Sequence, residues 1–339
     1  MINSRRIRIE VHQGDVLRFP ADVLALKYAQ ALYGADRAVY EKLSDTGHQP
    51  DPLPEVARFK LVRTQGAIAA KTVLFVGVVR LSQFGYQQIR EFGRNVLVSL
   101  AGQEPLIEHL ALTIHGPGYG LDEVEAFESE VAGVVDAIVT HDCPSNLKQV
   151  SFVERNPGRA ERLREVLAEL IPGGMLGSRG VVLESLAEQP RETLRTAGYT
   201  SAAKPSIFVA MPSAESMDDV FHYGIQGAVK SAGFLCERAD LTSFVGDVME
   251  WVKQRICGAT FVIADLTTAN PNVYLEVGYA WGCDRPTILL VRDGADLKFD
   301  VKGQRCLVYK SIKQLEEILG RELEALAALQ QGNREAGLV

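Results

Sequence analysis

Glu276 is the side chain in this sequence best placed to do chemistry. It stands in the run Asp265-Leu266-Thr267-Thr268-Ala269-Asn270-Pro271-Asn272-Val273-Tyr274-Leu275-Glu276-Val277-Gly278-Tyr279-Ala280, which follows the apolar stretch 260–264 and opens a helix. Asn272, Glu276, Tyr279 and Cys283 fall on one helical stripe, and Val273, Val277, Ala280 and Trp281 on another. The second stripe reads as the buried one, which leaves Glu276 facing a ligand crevice. A carboxylate in the first turns of a helix is kept ionised by the positive end of the macrodipole. In that state it can serve as a nucleophile or stabilise a developing cation. Asp265 ends a buried strand, where it can hold two hydroxyls of a sugar or shape the next turn. Asp247 opens the helix Asp247-Val248-Met249-Glu250-Trp251-Val252, where N-capping is its competing role. Ala210, Met211 and Pro212, with Asn270, Asn272 and Tyr274, are expected to line the same crevice.

These residues need a scaffold, and residues 206–328 supply a regular alternation. Strands fit Ser206–Met211, Phe234–Glu237, Ala259–Asp265, Thr287–Arg292 and Cys306–Tyr309. Helices fit 216–232, 245–257, 272–283 and 311–328. Such a pattern predicts a five-stranded, parallel, doubly wound (flavodoxin-like) α/β domain. With strand order 2-1-3-4-5, the crevice opens between strands one and three, at 210–212 and 264–266. The Glu276 loop then lands at the point where the strand order reverses.

Residues 1–170 predict a second α/β domain with a mixed sheet. Its strands fit Ile7–Val11, Val23–Leu26, Lys60–Arg63, Thr72–Val79, Leu110–His115 and Gln149–Val153, and its helices 34–44, 86–101, 122–140 and 158–170. Glycine and proline punctuate 171–205, which reads as a linker with one short helix around 181–197. Residues 329–339 read as a flexible tail.

Composition narrows the partners. A chain of 339 residues is long enough for two domains, and 47% apolar with 23% charged residues describes a globular protein. The net charge of −7 argues against nucleic acid or an anionic membrane as partner. No apolar run reaches the ~18 residues of a membrane span. Five widely spaced cysteines make neither a disulfide framework nor a metal knuckle, so reduced thiols in a cytoplasmic protein are expected, with no metal and no resident cofactor.

Residues 205–310 resemble the nucleoside 2-deoxyribosyltransferase-like group, a relative of TIR-type NAD-cleaving domains. The likeness rests on Ile207-Phe208-Val209-Ala210-Met211-Pro212, on Phe261-Val262-Ile263-Ala264-Asp265-Leu266 and on Asn270 to Ala280. It implies that Glu276 attacks or stabilises the anomeric carbon and that Asp247 touches the sugar. Where the deoxyribosyltransferases carry an Asp-Ser-Gly-Thr stretch, this chain has Asn270-Pro271-Asn272-Val273. Residues 7–170 resemble a macro domain, through Gly14-Asp15 and through His115-Gly116-Pro117-Gly118-Tyr119-Gly120. That likeness implies adenine contact by Asp15, and diphosphate contact by Gly116, Gly118, Tyr119 and Gly120. The Asn-Ala-Ala-Asn-type stretch of ADP-ribose hydrolases is replaced by Leu26-Lys27-Tyr28-Ala29-Gln30.

A neutral purine must be protonated as it leaves, whereas nicotinamide leaves from a cation and needs no acid. His222 is the only histidine in the C-terminal half and is no evident acid. The expectation is therefore cleavage of a nucleotide N-glycosidic bond, that of NAD first, under control of a macro-like domain that senses an ADP-ribose-like ligand. Homo-oligomers and a bacterial stress or phage-defence role accompany it. The alternatives are a housekeeping (deoxy)nucleotide N-glycosidase or transferase, and a nucleotide-binding sensor without catalysis.

Overall fold

Unbroken apolar runs of Val, Ile, Leu and Phe demand cover on both faces, and the chain builds two parallel-rich sheets that receive it. The computed structural model describes residues 6–103, 106–117, 119–177, 186–212, 214–238, 247–295 and 304–335, with backbone alone at 215, 247, 248 and 329–335. The chain divides into two compact units, Met1–Gly116 with Glu123–Ala202, and Pro117–Asp122 with Ala203–Val339.

Among the described residues the first unit carries seven strands: β1 (Arg6–Gln13), β2 (Val23–Tyr28), β3 (Phe59–Arg63), β4 (Thr72–Gly77), β5 (His109–Thr113), β6 (Gln149–Glu154) and β7 (Met175–Gly177). Their spatial order is β3-β4-β2-β5-β6-β1-β7. The interior pairs are parallel, and β3 and β7 close the edges in antiparallel pairing. Strands β2, β4, β5 and β6 are buried almost throughout, whereas β1 alternates and leaves one face open. Helices α1 (Gly34–Asp45), α2 (Tyr86–Leu100), α3 (Glu123–Val139) and α4 (Pro157–Leu170) supply the cover.

Of the stretch 171–205, expected as a linker, the described residues 171–177 and 186–202 belong to this unit. After β7 comes α5 (Glu188–Thr196), which buries only Leu194 of its own residues. The Arg90 guanidinium grips Asp136 at 2.8 and 2.9 Å, donates to the Ala197 carbonyl at 2.6 Å, and stacks 4.3 Å from the centre of the Tyr199 ring. Ser201 donates to the buried Glu125 at 2.6 Å. Polar side chains hold this stretch, so hydrophobic periodicity gave little sign of it.

The second unit is all parallel. β8 (Ser206–Ala210), β9 (Leu235–Glu237), β10 (Phe261–Asp265), β11 (Thr287–Arg292) and β12 (Cys306–Tyr309) lie in the order β12-β11-β10-β8-β9. Numbered within the unit this is 2-1-3-4-5, the order assumed for the crevice. After β8 the chain passes through a π-helical stretch, Val220–Gln226, into α6 (Gly227–Ser231). Helices α7 (Asp247–Gly258), α8 (Pro271–Gly282) and α9 (Ile312–Glu335) follow. Ile207, Val209, Ile263 and Leu290 form one core with Phe221, Ile225, Leu315, Leu319 and Leu323. The alternate side chains Phe208, Ala210, Val262 and Ala264 are equally buried and by the pleat face the other side. The backbone of α9 continues to Glu335, into the stretch expected as a tail.

One covalent feature departs from expectation. Cys257 and Cys283 form a disulfide, while Cys143, Cys236 and Cys306 are free thiols. The 26-residue separation hides the pair in the sequence; the fold brings the ends of α7 and α8 together.

Candidate functional site

β10 ends at Asp265, and the turn that follows is fixed before the helix starts. Asp265 is fully buried, and its Oδ1 accepts from the Thr267 amide at 2.9 Å. Its Oδ2 accepts from the Tyr309 hydroxyl at 2.8 Å. Thr267 Oγ1 in turn accepts from the Arg292 amide at 3.0 Å, so the carboxyl ends of β10, β11 and β12 form one network. Asp265 does structural work here, shaping the turn rather than standing open to a sugar. Asn270 caps α8 by accepting from the Asn272 amide at 2.9 Å, and Pro271 fills the first helical position, where no amide is required.

Glu276 sits on α8 with a surface exposure of 8%. The buried face of the helix is Val273, Glu276, Val277 and Ala280, at spacings of three and four. This corrects the expected split into stripes: Glu276 shares the buried face with the valines, and Trp281 is 39% exposed. Among the described residues the Glu276 carboxyl has no hydrogen bond and no ion pair. Burial pushes its pKa up to about 8. The expected ionised state is thereby corrected too. Glu276 lies beyond the first turn, where the macrodipole fades, and desolvation of the charged form wins.

Ala210 and Met211 are buried at the end of β8, next to β10, with Met211 packed into the core that holds Phe221 and Ile225, and Pro212 is buried beside them. Asn272 is exposed and Tyr274 half-buried. α8 packs on β8, β10, β11 and α7. The Asp247 side chain falls outside the described ones, although its backbone opens α7 as expected. The lone histidine of this half, His222, pairs with Gln226 at 3.2 Å in the π-helical stretch.

Two charged groups at the end of β9 carried no signal in the motif reading. Glu237 is fully buried and bound by Arg255, whose Nε donates at 3.0 Å. Arg238 follows it, at the carboxyl edge of the sheet. Both could have been found by asking which residues end each strand of the predicted sheet, not only strands one and three.

In the first unit, Asp15 is exposed, and its Oδ1 accepts from the Leu17 amide at 3.0 Å. Gly116 and Gly120 adopt φ of 109° and 89°, values that glycine takes without strain. Tyr119 is half-buried, and Gly118 lies outside the described residues. The glycine segment Pro117–Asp122 clusters with the second unit, where Asp122 accepts from the Cys236 amide at 3.1 Å and pairs with Lys230 at 3.6 Å. Just before it, buried His115 stands 3.9 Å from buried Glu130, with His115 Nε2 and Glu130 Oε1 lacking hydrogen bonds. Burial holds the His115 pKa well below its ordinary value and the Glu130 pKa well above. Lys27 is also buried and pairs with Asp36 at 3.6 Å. No group of three or more potential metal ligands occurs among the described residues. No helix among them is long and apolar enough to cross a membrane.

No family model matches this chain, and no curated protein does. Among solved structures it is similar to the CMP N-glycosidase BcmB of Clostridium botulinum at 15% identity, over 34% of this chain and 98% of that one, with a TM-score of 0.29. It is similar to the Oceanobacillus iheyensis macrodomain with ADP at 14% identity, over 50% of this chain and 94% of that one, with a TM-score of 0.39. The Trypanosoma brucei macrodomain in complex with ADP gives 14% identity, 47% and 69% coverage, and a TM-score of 0.37.

Proposed function

We propose that the second unit breaks the N-glycosidic bond of a nucleotide, NAD foremost, with Glu276 acting at the anomeric carbon. The observation that carries this is a buried carboxyl without a partner, on the helix that leaves the reversal point of a doubly wound sheet. Such a group stays protonated until a positive charge arrives beside it. The nicotinamide riboside moiety of NAD brings that charge. Binding then lowers the Glu276 pKa, releases a proton, and leaves a carboxylate against the anomeric carbon as nicotinamide departs neutral. Water completes the hydrolysis to ADP-ribose.

The first unit, in this reading, senses an ADP-ribose-like ligand through Asp15 and Gly116 and restrains the second until needed. Uncontrolled NAD loss is toxic, which suits a bacterial stress or phage-defence effector that works as a homo-oligomer. One observation favours a second reading. A carboxyl that is protonated at neutral pH can also act as a general acid toward a neutral base, as a housekeeping (deoxy)nucleotide N-glycosidase requires.

Incubation with NAD and with deoxynucleotides, with and without ADP-ribose derivatives, separates the readings. NAD cleavage by ionised Glu276 gives a kcat/KM that climbs with pH and levels off above about 8. General-acid cleavage gives the opposite trend. Glu276→Gln should lose on the order of 100-fold or more in rate. Tight nucleotide binding without product on prolonged incubation would leave a sensor without catalysis.

A further inference from the structure

At the β3 end of the first sheet, Leu24 and Val73 pack into one core with Val39 and Leu43 of α1. Their strand neighbours Val23 and Thr72 turn to the opposite face by the pleat, in one row with Arg63 of β3. Val23, Thr72 and Arg63 line a cavity of about 260 Å³. Buried Val23 and Ile107, with half-buried Leu61, give it apolar walls, and Leu106 stands beside them 63% exposed. Lys71 completes its charged side with Arg63 and Asp22. The cavity lies at the amino ends of β2 and β4, the opposite edge of the sheet from Gly116, which follows the carboxyl end of the parallel β5.

Both oxygens of Asp22 are engaged. Its Oδ1 accepts from Lys71 Nζ at 2.7 Å, and its Oδ2 accepts from the Glu108 and His109 amides, each at 2.9 Å. The Glu108 carboxylate is itself paired with Lys148 at 2.6 Å. Among the described residues the Arg63 guanidinium has no hydrogen bond and no ion pair. Two cations against one carboxylate leave a single positive charge at the cavity.

We propose that this cavity binds a small monocarboxylate with a compact apolar body, its acid group drawn to Arg63 and Lys71 and its body set between Leu61, Leu106 and Ile107. A cavity of roughly 150 Å³ already holds a benzene ring, so this one has room for a ring with a short acid arm. The planar guanidinium matches a carboxylate through two parallel hydrogen bonds. One net positive charge suits a monoanion rather than a dianionic phosphate. The apolar body also takes Leu106 out of water.

The test uses the full chain and compares phenylacetate with its uncharged amide, phenylacetamide, by ligand-observed NMR titration at low salt. The acid should bind with a Kd of about 1 mM or tighter. It should outbind the amide by roughly 10- to 100-fold. Arg63→Met keeps length without charge and should erase the preference; Arg63→Lys should restore part of it. Leu106→Ala should weaken the acid by roughly 3-fold or more. Phenyl phosphate should bind no better than phenylacetate; an advantage of roughly tenfold assigns the cavity to phosphorylated ligands and overturns the proposal. So does equal binding of acid and amide, no binding of the acid at about 10 mM, or an unchanged preference in folded Arg63→Met. None of these measurements involves bond cleavage, so the outcome is independent of Glu276.

Discussion

Tyr309 donates its hydroxyl to Asp265 Oδ2 at 2.8 Å, tying the end of the edge strand β12 to the end of β10 across the intervening β11. Burial, with the Asp265 carboxylate beside it, raises the Tyr309 pKa, so the hydroxyl remains a donor throughout the physiological range. Tyr309→Phe leaves the buried Asp265 with an unmet oxygen. It should cost about 1–3 kcal/mol in urea unfolding. Cleavage per folded molecule should change little. A collapse of activity with stability intact would instead return Asp265 and Tyr309 to the chemistry.

Glu276 makes stability depend on pH in a direction unlike that of most carboxyls. Its folded pKa, about 8, lies above the ordinary 4.5, because burial disfavours the charge. Between these values the unfolded chain releases the proton and the folded chain keeps it. Stability therefore falls as pH rises through this window, by up to about 1.4 kcal/mol per pH unit, and flattens above it. Glu276→Gln removes this slope. Urea titrations of both proteins from pH 4 to 9 should converge at the acid end, with the variant ahead near pH 8. Parallel curves would mean that Glu276 has a counter-charge.

The second sheet was legible in the sequence because each strand is an apolar run followed by a helix-length segment; the alternation calls for a parallel, doubly wound sheet, whereas the order 2-1-3-4-5 was a premise that the strand pairings supply. The placement of Glu276 on α8 was legible for the same reason. Its protonation was not, since stripe assignment put Asn272 and Glu276 together, whereas packing selects Val273 and Glu276. Contacts between residues far apart in sequence were equally silent. Asp265 meets Tyr309 over 44 residues, and Arg90 meets Ala197 over 107. No periodicity encodes such pairs. In the first unit, the edge strand β7 has only three residues, too short to show an alternating pattern.

The disulfide between Cys257 and Cys283 fastens the end of α7 to the residue that caps α8, the helix carrying Glu276. A thiol assay on protein denatured without reductant should find three reactive groups, Cys143, Cys236 and Cys306, out of five cysteines. Reduction opens a 26-residue loop and should lower the stability of the second unit by about 3 kcal/mol. Five thiols before reduction would show that the bridge does not form in solution.

Glycine-to-alanine changes should act with opposite sign at two helical positions. Helices α2 and α3 approach through Gly93 and Gly133. A Cβ on Gly93 would lie 2.5 Å from the Glu130 carbonyl oxygen, and one on Gly133 would collide with the Arg90 carbonyl oxygen. Both obstacles are backbone, so neither can rotate away. Gly133→Ala forces the helices apart and loosens the Arg90–Asp136 grip on the 186–202 segment; the cost should reach about 1–3 kcal/mol or more. Gly320 in α9 has nothing within 4 Å of the added carbon. There the same change only reduces the freedom of the unfolded chain and should stabilise by about 0.5–1 kcal/mol. Urea unfolding of both variants decides it: if Gly133→Ala is as stable as wild type, the two helices do not cross this closely.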